Sequence, residues 1–401
     1  MAIKILYVIG NLDVGGAERH LAQVLPQLSK RGFKLLVYTT THKGKLAPVL
    51  EAAGVKVIEP FFAPPLRKLP ALIRKPLLLF LWAFAFCFFL LRRRPAIVHF
   101  FLPEAYLMGG ICSLVSGKRI RIMSRRSLNR YQLKYPVLAK TERWLHSRMD
   151  AVLGNSSAVI KDLQDEGVPA HRLGLLYNGI DFSQFSNLPA RGEIRKSLNI
   201  SDDTLLIVCV ANLIPYKGHA DLIHALGVIH KDLPSNWVVA MVGRDTGLGA
   251  ELRALAESVG VAKHILWLGE RSDSISIYST AEIGVLCSHE EGFSNSVLEG
   301  MASKIAMVVT DVGGNTEAVL DGECGIVVPA RNPELLGEAI LTLSKDKGMR
   351  DRMGRLAYQR VRDKFSLDAC VSQYASLYDG LLHDPKGAIQ PMLDAFQSKE
   401  S

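Results

Sequence analysis

Short apolar, β-branched runs alternate with segments of helical period along the first half of the chain. They are "IKILYVI", a helical stretch over 17–30, "FKLLVYT", a short helix and "VKVIEP", then "AIVHFF", "RIRIMS", "DAVLGNS" and "RLGLLYN". Strands that are apolar throughout, with helices between them, bury both faces, which predicts a parallel sheet covered on each side. This is the doubly wound α/β pattern.

The segment "FSQFSNLPARGEIRKSLNISDD" interrupts it with Pro, Gly and polar residues. Alternation restarts at "TLLIVCVAN" and runs through "WVVAMVG", "HILWLG", "EIGVLCS", "IAMVVTD" and "CGIVVP", and from Pro333 the pattern is helical. At 401 residues the chain exceeds one hydrophobic core. The expectation is a first α/β domain over 1–190 and a second over 191–365, joined near 188–195. A helix over 366–385 packs back on the first domain, and a tail follows over 386–401. A cleft between two such domains is the default place for chemistry.

One stretch suits a soluble domain poorly: "PLLLFLWAFAFCFFLL" over 76–91, between Arg74-Lys75 and Arg92-Arg93-Arg94. Its apolar run makes a helix of about 22 Å, short of the ~30 Å hydrocarbon layer. A crossing would also put strands of one sheet on opposite sides of a bilayer. Two readings stand, a helix buried in the first domain and a helix in the membrane interface with aromatics down and arginines on phosphates. The basic flanks favour the second, which puts Trp82 and Phe86 on the membrane side.

The net charge of +9 is concentrated in the same half of the chain. No acid lies between Glu59 and Glu104, and Glu142 is the only one between Lys118 and Arg148, a stretch that carries Arg125, Arg126, Arg130 and Lys134. Localised positive charge suits an anionic membrane surface or a phosphorylated acceptor. Nucleic acid fits worse, because the arginines flank aliphatic and aromatic residues instead of forming a separate basic face. The six cysteines are scattered without C-x-x-C or zinc spacing, as in a reduced, cytosolic compartment. "MAIKILYVIG" reads as a first strand, not a signal peptide.

Candidate chemistry falls in turns after strands. "GNLDVGGAERH" sets Gly15 and Gly16 before a helix, where close backbone approach and helix-start N–H groups favour a diphosphate. It is not G-x-G-x-x-G, and no acid follows the second strand where the ribose of NAD would need one. "VANLIPYKGH" puts Lys217 at the carboxyl end of a strand, suited to neutralising a leaving diphosphate. In "EEGFSNSVLEGMA", Glu291 lies in the loop after "EIGVLCS", while Phe293, Ser294 and Asn295 open a helix that carries Glu299. Helix-start N–H groups suit phosphate oxygens, and carboxylates, being acceptors only, grip sugar hydroxyls. One acid for a sugar and one for a ribose fits a nucleotide sugar. Singly, each has a bland reading: a solvated lysine, a capping carboxylate for Glu291, a solvated helix face for Glu299. "DVGGNTE" repeats the glycine-turn logic. The chain has no D-x-D and no metal-spaced His, Asp and Glu, so neutralisation falls to Lys217, arginine and helix termini, with no metal or other cofactor expected.

Taken together, the sequence resembles the retaining, nucleotide-sugar-dependent glycosyltransferases of family 4. The likeness covers nearly the whole chain, from "GGAERH" through "YNGID" and "VANLIPYKGH" to "EEGFSNSVLEGMA" and "DVGGNTEAV". Its specific part is the E-x7-E pair, Glu291 with Glu299, combined with Lys217. The resemblance implies a GT-B fold, an α/β architecture of two doubly wound Rossmann-like domains facing across a cleft. It also implies that Glu291 contacts the donor sugar, Glu299 the nucleotide ribose, and Lys217 with helix N–H groups the diphosphate. Transfer with retention is then expected on the front face of the sugar, the leaving phosphate oxygen accepting the acceptor's proton.

Two positions depart from the family. Asn212 stands where many relatives have an arginine, which leaves Arg244 or Arg271 to compensate. In "VHFF", His99 keeps the first position of a His-x-His whose second is Phe101, and Glu104 is a nearby polar candidate. The catalytic candidates are therefore Glu291, Lys217 and His99. Donor-binding candidates are Gly15, Gly16, Asn212, Lys217, Arg271, Phe293, Ser294, Asn295 and Glu299. Trp82, Phe86, Arg125, Arg126 and Arg130 fall on the acceptor or membrane side.

The expected activity is metal-independent transfer from a UDP- or GDP-sugar to a membrane-associated, lipid-linked acceptor, in cell-surface polysaccharide or glycan synthesis, by a protein attached peripherally to the cytoplasmic face. Alternatives are transfer to a soluble acceptor and an inactive membrane-associated scaffold, the latter opposed by the intact Lys217, Glu291 and Glu299. A two-carboxylate glycoside hydrolase leaves the glycine turns unexplained. A nucleotide-sugar 2-epimerase leaves the aromatic helix without purpose.

Overall fold

All thirteen apolar runs are strands, and they form two parallel sheets. The computed structural model describes residues 3–60, 71–117, 119–128, 131–384 and 389. It divides into two units, Met1–Gly179 with Leu367–Ser401, and Ile180–Ser366.

The first unit contains β1 (Lys4–Ile9), α1 (Gly16–Lys30), β2 (Lys34–Thr39), α2 (Ala47–Ala52), β3 (Lys56–Ile58), α3 (Ala71–Arg93), β4 (Ile97–Phe101), α4 (Pro103–Val115), β5 (Ile120–Arg125), α5 (Tyr131–Lys134), α6 (Pro136–His146), β6 (Ala151–Gly154), α7 (Ser157–Asp165) and β7 (Leu173–Leu175). The second contains α8 (Arg191–Ser197), β8 (Leu205–Val210), α9 (His219–Ile229), β9 (Trp237–Val242), α10 (Gly249–Ser258), β10 (Ile265–Gly269), α11 (Ser274–Tyr278), β11 (Ile283–Leu286), α12 (Asn295–Ala302), β12 (Ala306–Thr310), α13 (Asn315–Ala318), β13 (Gly325–Val328), α14 (Pro333–Lys345) and α15 (Lys347–Lys364). The last helix, α16 (Leu367–His383), returns to the first unit, where Tyr374 Oη meets His20 Nε2 of α1 at 3.0 Å.

The strand orders are β3-β2-β1-β4-β5-β6-β7 and β10-β9-β8-β11-β12-β13. Each reverses direction once, between β1 and β4 and between β8 and β11. The central strands are buried along their length, as continuous Val, Ile and Leu runs require when helices cover both faces. The second unit begins at Ile180, so the polar segment near 188–195 lies within it. Arg195 explains this: fully buried, it donates to the Ser201 carbonyl at 3.1 Å and the Thr280 carbonyl at 2.8 Å, tying α8 into that unit. Composition alone reads such a stretch as a linker.

The aromatic helix departs from its expected orientation. Trp82, Phe86 and Leu90, spaced by four, are buried in the first unit's core, where Tyr38 of β2 packs against Trp82 and Phe86. Phe80, Phe84 and Phe88 lie two positions away, about 200° around the helix, and are 68%, 68% and 58% exposed. Placing Trp82 and Phe86 on the membrane side is thus corrected: they anchor the helix, and the opposite stripe faces outward. Among the described residues no helix is long and apolar enough to cross a membrane.

Candidate active site

The second unit's site is built where β8 and β11 lie side by side and their connections leave in opposite directions, the place where doubly wound sheets take ligands. The loop after β8 ends in a 3-10 turn, Pro215–Lys217, closed by Gly218 at φ 70° and ψ 19°. Glycine is needed there twice over, because a Cβ would also sit 1.9 Å from the Cys287 carbonyl oxygen of the loop after β11. The two loops are stitched together. His289 N–H donates to the Tyr216 carbonyl at 2.7 Å, and His289 Nε2 meets Asp221 Oδ2 at 2.7 Å.

This stitching brings Lys217 to Glu291. Lys217 Nζ lies 2.5 Å from Glu291 Oε1, with the side chains 17% and 9% exposed. Ser288 Oγ donates to the same carboxylate oxygen at 2.7 Å, and its carbonyl accepts from Thr310 Oγ1 at 2.6 Å. Burial pulls the Lys217 ammonium down, but the Glu291 carboxylate more than offsets it, and the net shift is upward. Lys217 is therefore a fixed positive charge at neutral pH. The "DVGG" turn supports this loop from behind: Gly313 adopts φ 52°, a Cβ there would lie 1.9 Å from the Glu291 carbonyl oxygen, and Gly314 N–H donates to the Gly292 carbonyl at 2.8 Å.

Glu299 sits on α12, one face of which is core. Its Oε2 accepts from Ser274 Oγ at 3.3 Å, at the start of α11. Ser294 is the residue before the first turn of α12 and Asn295 opens it, while Phe293 is buried against Phe365 at 5.2 Å between centroids. Phe293 thus contributes packing through its ring, leaving only its backbone for a ligand. Asn212 Oδ1 accepts the Arg244 backbone N–H at 3.0 Å, so its side chain spans two loops. Arg271 is held bidentately by Asp273, at 2.8 and 2.6 Å. The pair is part-exposed, and an anion at Arg271 would have to displace Asp273, just as one at Lys217 would have to displace Glu291.

Candidates in the first unit fare differently. Gly15 precedes α1 with extended backbone, and a Cβ there would meet Glu18 Oε2 at 2.3 Å, whereas Gly16 faces open space. Glu18 therefore folds over the helix start, its carboxyl pushed up by burial. His99 has no exposed surface. Its Nδ1 meets Tyr378 Oη at 2.8 Å and its Nε2 meets Ser124 Oγ at 2.8 Å. Burial, followed by the charge of Arg126, holds the ring well below the usual imidazole range. His99 is a core brace, a correction to its assignment as a catalytic group.

Arg125 is also buried, 2.5 Å from Glu142 Oε1 and bonded to both oxygens of Glu166. Gln132 and His146 join the cluster. Glu142, His146 and Glu166 lie close enough to hold a metal ion, but the guanidinium already supplies the cation between the carboxylates. Arg125 is therefore structural and not on the acceptor side. Arg126 bonds the side chain of Asn178. Arg130 lies outside the described residues.

Sequence reasoning missed Ser288, Ser274 and the Asp221–His289 pair. None falls in a motif by type. The only local signal was Ser288 three residues before Glu291 at the end of a buried strand.

The "Glycosyltransferase Family 4" family description matches residues 14–184, and "Glycosyl transferases group 1" matches residues 190–360. The lipopolysaccharide core biosynthesis mannosyltransferase LpcC of Rhizobium leguminosarum bv. viciae is 30% identical over 65% of this chain and 74% of its own. The D-inositol 3-phosphate glycosyltransferase of Corynebacterium glutamicum (strain R) is 26% identical over 92% of this chain and 93% of its own. Among solved structures, Anabaena Alr3699/HepE in complex with UDP-glucose superposes with a TM-score of 0.81 at 20% identity, covering 94% of this chain and all of that one. With these matches spanning both sheets and the Lys217, Glu291 and Glu299 loops, the chain belongs to the family 4 glycosyltransferases and has their GT-B fold.

Proposed function

We propose that the protein is a retaining, metal-independent glycosyltransferase that moves a sugar from a UDP- or GDP-sugar to a membrane-associated, lipid-linked acceptor in cell-surface polysaccharide or glycan synthesis. The observation that carries this reading is the Lys217–Glu291 pair at the carboxyl end of the second sheet. A donor diphosphate competes for Lys217, and the carboxylate so released accepts from sugar hydroxyls. Lys217 then opposes the negative charge that develops on the leaving group, in a site where little water screens it. Glu299, steadied by Ser274, is the acceptor for ribose hydroxyls. The bond from the anomeric carbon to the acceptor oxygen forms on the face from which the phosphate oxygen leaves, and that oxygen takes the acceptor's proton.

Support for a nucleotide sugar comes from the Anabaena structure with UDP-glucose, and for a surface glycan from the relative named for lipopolysaccharide core biosynthesis. The exposed aromatic stripe of α3, followed by Arg92, Arg93 and Arg94, supports peripheral attachment at the cytoplasmic face of the membrane. The test is nucleotide release from UDP-, GDP- and ADP-sugars by the purified protein with membrane lipid extract and EDTA, and the anomeric configuration of the product by NMR. Lipid-stimulated, EDTA-resistant release with retained configuration is expected. Metal-dependent release or inverted product overturns those parts of the reading. Transfer to a soluble acceptor is the second reading, favoured by the relative named for D-inositol 3-phosphate. It predicts release that this acceptor stimulates and lipid does not.

A further inference from the structure

We propose that α3, α4 and α6 of the first unit form one continuous docking face for an anionic bilayer. This rests on the membrane-associated reading above and extends it from a single helix to a three-helix layer.

Packing puts α4 between the other two. A Cβ at Gly109 of α4 would fall 2.6 Å from Phe100 of β4 and 3.5 Å from Phe86 of α3, and one at Gly110 would fall 3.2 Å from Leu145 of α6. Two adjacent glycines thus let α4 sink between its neighbours. Tyr106 of α4 stacks on His146 of α6 at 5.7 Å, and Arg119 donates to the carbonyls of Leu90 and Ser116 at 2.7 and 2.5 Å, tying the ends of α3 and α4. The three helices pack as one layer.

Large apolar side chains nevertheless point outward from all three. Phe80, Phe84 and Phe88 on α3, Val115 on α4, and Val137 and Trp144 on α6 are between 46% and 77% exposed. A monomer rarely leaves that much apolar surface uncovered. The charge of the layer selects the occupant. Arg92, Arg93, Arg94, Lys140, Arg143 and Arg148 are exposed on or beside these helices, and Glu104 is the only exposed acid among their described residues. A non-obligate protein interface, taken whole, is no more apolar than ordinary surface and carries a polar rim, and the core of any protein interface is depleted of charge. Single-sign cations around aromatic and aliphatic groups match lipid phosphates over acyl chains. The Arg148 guanidinium lies 3.8 Å above the Trp144 ring, which joins an interfacial aromatic to a phosphate-seeking charge.

The test is co-sedimentation of the full chain with phosphatidylcholine vesicles, with and without phosphatidylglycerol. Wild type is compared with Phe84→Ser/Phe88→Ser, Val115→Ser/Val137→Ser and Arg92→Gln/Arg93→Gln/Arg94→Gln. These are exposed positions, and unchanged thermal melting confirms each fold. Both apolar pairs are expected to weaken partitioning about tenfold or more. The arginine variant should lose the preference for phosphatidylglycerol. Wild-type binding by Val115→Ser/Val137→Ser overturns the three-helix face and leaves attachment through α3 standing. No wild-type binding to either vesicle overturns both. A wild-type dimer that Phe84→Ser/Phe88→Ser splits, seen by light scattering, overturns the proposal in favour of a second copy. Nucleotide release with the lipid extract dispersed in detergent reads the transferase chemistry apart from vesicle binding, so its loss overturns the transferase reading and not the docking face.

Discussion

Lys217 Nζ and Glu291 Oε1 are 2.5 Å apart, a largely buried ion pair. The loops that carry them are locked by Gly218 and by the His289 contacts to Tyr216 and Asp221, so the pair is positioned by backbone and not by chance of rotamer. Each partner keeps the other neutralised in a site shielded from water. In the proposed reaction the donor's diphosphate takes the place of this carboxylate at Lys217.

That exchange makes the first prediction. Lys217→Ala removes the cation that meets the leaving group, and donor turnover should fall about 10²–10³-fold, the scale of losing one preorganised charge-stabilising donor. Glu291→Gln keeps the size of the side chain but removes the charge that pairs with Lys217, and it should also lose turnover. Initial rates of nucleotide release measure both. Near wild-type rates in Lys217→Ala would remove Lys217 from the chemistry.

The glycines separate scaffold from contact. Gly218→Ala and Gly313→Ala each force a side chain into left-handed backbone, costing about 1–2 kcal/mol before the clash with the Cys287 or Glu291 carbonyl. Both should lower the urea midpoint and abolish turnover. Gly16→Ala meets nothing within 4 Å and should leave stability unchanged. A drop in its turnover alone would identify backbone contact with the donor at α1.

Two buried histidines give a pH dependence with a defined sign. His20 and His99 are held well below their ordinary value of 6.5, mainly by burial and then by Arg126. In the folded state they stay neutral, while the unfolded chain binds protons near its ordinary value. Stability is thus full above pH ~6.5 and falls as pH drops toward the depressed folded values, by about 1.4 kcal/mol per pH unit for each ring. Urea melts between pH 7.5 and 5, values spanning the ordinary pKa of ~6.5, should show this slope. His99→Gln should remove about half of it, since His20 still contributes, while leaving nucleotide release measurable at neutral pH.

Arg125 should behave as a structural residue. Arg125→Ala strands Glu142 and Glu166 in the core, and breaking a buried pair in this way costs about 3–5 kcal/mol. The first unit's melting transition should fall sharply or vanish. Unchanged melting with a raised KM for the acceptor would instead return Arg125 to the acceptor side.

What the sequence by itself determined was local in origin. Each strand was legible because burial on both faces demands an unbroken apolar run, and the reversal of the second sheet put Lys217 and Glu291 at the ends of strands that could be located in advance. Their residue types and spacing carried the proposed diphosphate and hydroxyl roles. Tertiary structure alone decided which neighbours each side chain met. A helix apolar all round carries no mark of which stripe is inward, so packing against Tyr38 settled that Trp82 and Phe86 are core and that Phe80, Phe84 and Phe88 are outside. The type of His99 or Arg125 likewise says nothing of the partners that neutralise it. Those came from Tyr378, Glu142 and Glu166, brought near by the fold across long stretches of chain. Period and propensity are written along the chain, whereas the partner of a charge and the covered face of a helix are set by long-range contacts.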